Sequence, residues 1–279
     1  MVPVSHPSGS TAAPAGSNLW LESLLSEARA HRAVQHPFLR ALADGAFGVR
    51  THAAARALGH AYAGYSQWFP RYLRALIARM PAEDYRDLLR RNLDEEQGHL
   101  DPADREVLAS MGIDPCDVEG VPHPELFRRF CVAIGLAEAD LAQPPLPTIE
   151  WRAGFLGAMR AGTPAFGVGA LGLGTESIVA TVYTLVIRGL ERVEGLSRRD
   201  RIFFDLHCYV DDQHQKDLLA IAQELAQEPA GAAEVEHGLR LALALREEFF
   251  DALHESCLPH PELLDAPPTT TDADEVPRD

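Results

Sequence analysis

The run FFDLHCYVDDQHQKD contains His207, Asp211 and His214. At 3.6 residues per turn, positions i, i+4 and i+7 share one face of an α-helix, so two imidazoles and a carboxylate would converge there. Sets of this kind suit iron, manganese or zinc. Asp212 lies off that face and reads as a solvated neighbour. A plain alternative for the stretch is a polar surface stripe, since Gln213, Gln215, Lys216 and Asp217 are also hydrophilic. Glu176 weighs against it. In LGLGTESIVATVY its polar neighbours within a turn are Thr175 and Ser177. A bare carboxylate in such surroundings must be protonated, paired or metal-bound, because desolvating it is costly. Pairing with an arginine from another helix is the structural alternative. A buried glutamate together with a His/Asp/His face elsewhere favours metal.

A third group lies in NLDEEQGH, Asn92 to His99. Glu96 and His99 are three apart and would share a face, a spacing that binds metal in helical bundles. The ordinary reading of Glu95 and Glu96 is a solvated helix end. His123 opens HPELFRRFCVAIGL, where the ordinary reading is helix entry beside Pro124.

Helices must position these groups. Apolar residues recur at three and four almost throughout, predicting helices near 19–33, 36–44, 50–79, 82–98, 102–111, 123–135, 148–162, 165–193, 198–227 and 231–256. Pro37, Pro81, Pro102, Pro124 and Pro164 fall at predicted starts, where a missing N–H costs nothing. No alternating strand pattern, internal repeat, Gly-rich phosphate loop or G-x-S-x-G elbow is present. The stretches 112–122 and 140–147 read as loops. Residues 1–17 and 265–279 are poor in large apolar side chains and read as disordered tails around a helical domain at 18–264.

The chain has 279 residues, 46% hydrophobic and 24% charged, enough to bury a core without disulfides. Its four cysteines have no close pairing, so neither a zinc ribbon nor a disulfide framework is suggested. A net charge of −16 argues against nucleic acid, which needs a basic footprint. Residues 165–189 are apolar and about as long as a membrane span, but Glu176 sits mid-segment and glycines crowd the first half. They read as a buried core helix. Nothing in residues 1–17 resembles a signal peptide, and a cytoplasmic protein is expected.

The runs HPFLRAL (36–42), NLDEEQG (92–98), HPELFRRFCVAIGL (123–136), GLGTES (172–177) and HCYVDDQH (207–214) occur in this order. Together they resemble the haem-oxygenase-like di-iron oxidases and oxygenases, over roughly residues 20–255. The resemblance implies an all-α, seven-helix core with a short extra helix. It also implies two Fe(II) ions, with Glu96, His123, Glu176, His207, Asp211 and His214 as ligands and no catalytic residues beyond them. His99 is the alternative to His123, which lies 27 residues after Glu96 as though a short helix had been inserted. An extra upstream carboxylate found in some N-oxygenating members has no counterpart in LGHAYAGYSQWFPRYL, where His60, Tyr62 and Gln67 are the polar residues. That departure implies a six-ligand site with a weakly held second iron.

Members of that family use dioxygen on small amines, amino acids or fatty acids. For this chain the resemblance implies a small amine or amino-acid substrate, N-oxygenation or oxidative C–C cleavage in a biosynthetic pathway, an external electron donor, and a homodimer. Fold alone does not choose the substrate. Tyr65, Trp68, Phe69, Phe127, Phe130 and Tyr183 are candidate pocket residues, with core packing as their ordinary role. Arg128 and Arg129 are candidates for a substrate carboxylate, with a solvated face as theirs. Two other readings use the same scaffold without these irons: haem binding through His31 or His36, and thiaminase-like hydrolysis through Cys208. A helical binding protein is the non-enzymatic alternative.

Overall fold

The computed structural model describes residues 15–209 and 212–258. Among them the chain is helical without strands. The helices are α1 (Ala15–Ala30), α2 (Pro37–Asp44), α3 (Thr51–Ser66), α4 (Phe69–Ile77), α5 (Glu83–Glu96), α6 (Pro102–Ser110) and α7 (His123–Ala133). They continue as α8 (Glu138–Leu141), α9 (Leu146–Ala161), α10 (Pro164–Val168), α11 (Ser177–Leu190), α12 (Ile202–Tyr209), α13 (Asp212–Leu225) and α14 (Gly231–Cys257). A π-helical segment, Gly169–Glu176, joins α10 to α11.

Three expectations are corrected. The helix expected over 50–79 is two, α3 and α4. Pro70 has no N–H to give and its ring clashes with the carbonyl four residues back, so the helix breaks there. The helix expected from 198 starts at Ile202. Ser197 and Asp200 close a turn first, with the Ser197 N–H donating to Asp200 Oδ2 at 2.8 Å, and such local bonds compete with helix. α1 begins at Ala15, inside the stretch expected as tail, a turn and a half ahead of its first buried anchors Leu21 and Leu24.

The continuous helix Pro164–Leu190 is the axis of the fold. By length and composition alone it could cross a membrane, but 67% of its most apolar window is buried by the protein. α1, α2, α12, α13 and α14 pack around it. Backbone presses on backbone here: a Cβ on Gly169 would stand 2.1 Å from the Val235 carbonyl oxygen, and one on Gly238 2.0 Å from that of Phe166. Only glycine permits such an approach. Thr175 Oγ1 donates to the Ala170 carbonyl, five residues back, at 3.0 Å. The widened turn ends at Glu176, and π segments often occur at functional sites.

Candidate metal centre

Glu96 is the last residue of α5, His123 the first of α7, and His207 lies near the end of α12. All three are buried. His123 Nδ1 stands 3.0 Å from Glu96 Oε1, and His207 Nε2 stands 3.7 Å from the same oxygen. One ligand atom from each lies within 4.8 Å of the other two. Atoms bound about 2.1 Å from one ion stand roughly 3 to 4.2 Å apart, and the two contacts to Glu96, at 3.0 and 3.7 Å, fall in that range.

Local structure explains the convergence. α5 stops because Gly98 turns the chain with φ +93°, and a Cβ there would meet the Val121 backbone nitrogen at 2.5 Å. The Gly120 N–H donates to the Gly98 carbonyl at 2.8 Å. The intervening residues 97–122, including α6, therefore loop out and return His123 to the end of α5. His207 Nδ1 lies 2.7 Å from the Phe203 carbonyl oxygen, which takes its N–H and leaves Nε2 as a lone-pair donor facing Glu96. Such a bond commonly fixes the tautomer of metal-binding imidazoles. Burial pushes the Glu96 carboxyl up, but His123 and His207 outweigh it and hold it below the ordinary carboxylate range.

The other expected ligands are placed differently. Glu176 is buried at the end of the π segment and lines a cavity with Glu96 and His207. His214, on α13, is buried with its Nε2 2.5 Å from Glu95 Oε2. His99 is exposed beyond the end of α5, in an open groove with Asp94, Gln97 and Glu119. Asp211 lies outside the described residues. Among the candidates for other readings, His36 has both ring nitrogens engaged, by the Phe38 N–H and by Asp251. Cys208 is half-buried, directed toward the Ala180 carbonyl at 3.8 Å.

The cavity is small, about 30 Å³. Besides the ionisable residues it is walled by Tyr62, Tyr65, Phe69, Val179, Tyr183 and Phe203, with Ser66 and Thr175. Of the expected pocket aromatics, Tyr65, Phe69 and Tyr183 are there. Phe127 and Phe130 are core, and Trp68 carries Arg71 and Arg152 over its ring at 4.2 and 4.5 Å. Arg128 pairs with Glu125 and Glu138 on the surface.

Tyr62 and Arg246 were not foreseen as a pair. The Tyr62 and Tyr183 hydroxyls are 3.0 Å apart, and the Arg246 guanidinium donates to Tyr62 at 3.4 Å. Arg246 is 1% exposed and lies 5.7 and 5.1 Å from the Tyr65 and Trp151 rings. The Tyr62 hydroxyl and these ring contacts together offset part of the cost of its buried charge. Burial raises the Tyr65 and Tyr183 phenols, keeping them protonated donors. The signal for Arg246 was present in LRLALALREEFF, where it continues the apolar stripe Leu239, Ala242, Leu243 of α14.

Three solved structures share this architecture. A TenA homologue from Pseudomonas syringae pv. tomato DC3000 superposes with a TM-score of 0.64 at 15% identity, covering 91% of this chain and 99% of the other. A CADD-like protein of unknown function from Nostoc punctiforme PCC 73102 gives 0.67 at 15% identity, covering 88% and 100%. A domain of unknown function with a heme oxygenase-like fold from Shewanella denitrificans OS217 gives 0.58 at 16% identity, covering 86% and 90%. At such identities they establish the fold, which is all-α and haem-oxygenase-like. A search of curated proteins finds no match. The model of the iron-containing redox enzyme family matches residues 56–247, a span that includes Glu96, His123, Glu176 and His207. This chain belongs to the family of iron-containing redox enzymes.

Proposed function

We propose that the chain is a non-haem di-iron, dioxygen-dependent oxidase or oxygenase acting on a small amine or amino acid, by N-oxygenation or oxidative C–C cleavage. The observation that carries this reading is the buried Glu96/His123/His207 cluster beside an aromatic-walled cavity. Glu96, His123, Glu176, His207, Asp211 and His214 would hold the ions. Two ferrous ions, when bound, would supply electrons for the reductive activation of dioxygen. The protein's part is to orient and to shield. Phe69, Val179 and Phe203 keep water from the cavity, while the Tyr62–Tyr183 pair offers hydroxyl hydrogen bonds to a polar substrate group. Arg246 behind Tyr62 favours negative charge on that side. We place the reaction in the cytoplasm, in a homodimer served by an external electron donor.

The test is anaerobic ferrous titration of purified metal-free protein, then mixing with dioxygen while visible and Mössbauer spectra are recorded. Uptake approaching two irons, with a transient absorption whose decay responds to added amines or amino acids, is the expected result. No iron uptake, or uptake unchanged in a His123→Ala/His207→Ala variant, overturns the proposal.

A further inference from the structure

Glu95 and Glu96 are adjacent, yet they serve different helices. Successive helical residues point about 100° apart, a consequence of 3.6 residues per turn. Glu96 meets His123 and His207 on one side, and Glu95 meets His214 of α13 on the other. The His214–Glu95 contact, at 2.5 Å, joins a side chain 6% exposed to one 24% exposed. Asn92 is a second, independent sign. It is 2% exposed, and among the described residues neither its Oδ1 nor its Nδ2 has a hydrogen-bond partner. A buried carboxamide left wholly unsatisfied is costly, and a missing ion or water is a common reason. Asn92 lies three and four residues before Glu95 and Glu96, on the same side of α5.

We propose that Glu95 and His214 form the half-site of the second metal ion, Glu95 being a ligand in addition to the six named above. This rests on the di-iron reading. The two carboxylates of the DEE run then divide the labour: Glu96 serves the ion held with His123 and His207, and Glu95 serves the ion held with His214. Glu95 supplies negative charge to the second position from the end of α5, and Asn92 supplies an unused donor and acceptor one turn below. A structural ion pair between α5 and α13 is the competing explanation. It predicts a change in thermal stability with no change in metal binding.

The test compares ferrous stoichiometry and affinity in wild type, Glu95→Gln, Glu95→Asp and His214→Gln, by anaerobic titration with metal analysis and Mössbauer spectra. Wild type is expected to take two ions. Glu95→Gln and His214→Gln should each keep one ion and bind the second at least tenfold more weakly, and the double variant should bind it no more tightly than either. Glu95→Asp, which withdraws the carboxylate by one methylene, should weaken the second site without abolishing it. It also serves as the folded control, because Glu95 is partly exposed at a helix end. Two ions bound with unchanged affinity in Glu95→Gln overturn this proposal alone, whatever its melting temperature. One ion or none in wild type overturns it together with the di-iron reading.

Discussion

Two helices of this protein begin with the same dipeptide, His36-Pro37 at α2 and His123-Pro124 at α7, and the two histidines have opposite fates. His36 is the N-cap of α2 and is fully buried. Its Nδ1 accepts from the Phe38 N–H at 3.1 Å, and its Nε2–H donates to Asp251 at 3.0 Å. Asp251 is tied in turn to Arg32, so the whole set serves helix capping and packing. His123 stands one position further into its helix, with Pro122 before it as N-cap. Its Nδ1 is turned to Glu96, where His207 converges on the same oxygen beside a cavity. Capping consumes an imidazole nitrogen. At α7 the N-cap is Pro122, which makes no side-chain capping bond, and the His123 ring one position on is left for chemistry.

The largest expected effect separates the two histidines directly. His123→Ala should weaken ferrous binding by more than ~100-fold, since losing even an outer partner of a metal ligand costs up to that much. His36→Ala and His99→Ala should leave iron content unchanged, all three measured by anaerobic titration. Iron lost from His36→Ala and kept by His123→Ala would break the comparison outright. A smaller effect is structural. His36→Ala removes a cap and a buried hydrogen bond, and metal-free protein should lose about 1–3 kcal/mol in denaturant unfolding.

The smallest effect concerns pH. Arg32 hydrogen bonds, more than the His36 contact, hold the Asp251 carboxyl at about 2 against the desolvation that opposes them. A carboxyl lowered on folding stabilises the fold fully above its unfolded value, about 3.9, and loses that contribution as pH falls toward the folded one. Asp251→Asn should therefore be less stable than wild type at neutral pH by under ~1 kcal/mol, because the side chain is partly exposed. The gap should close on acidification from pH ~5 to ~2 in urea melts. A gap that widens instead would mean that His36, not the carboxylate, carries the charge at that helix start.

Most helices were legible because their apolar period is strong, as in α14 and the Pro164–Leu190 axis. The candidates Glu176 and His207 could be named because a carboxylate in an apolar run, or a histidine in phase with another, is costly or improbable without a partner, whereas Glu96 rested on its spacing from His99 and on the family resemblance. Less legible was the π segment, because a widened turn depends on how closely α14 can press on Gly169 and Gly174. Tyr62 and Arg246 were hidden because each looks like an ordinary member of its own helix. Only packing brings the guanidinium to the phenol.

By itself, then, the sequence determined the helical period, the breaks at proline, and which side chains are able to bind metal, since these depend on residue type and local spacing. Tertiary structure decided which of two histidines reaches Glu96, across the excursion of residues 97–122 closed by Gly98 against Val121, and which glutamate meets His214. It did so because convergence depends on how separate helices pack, and no local spacing encodes that.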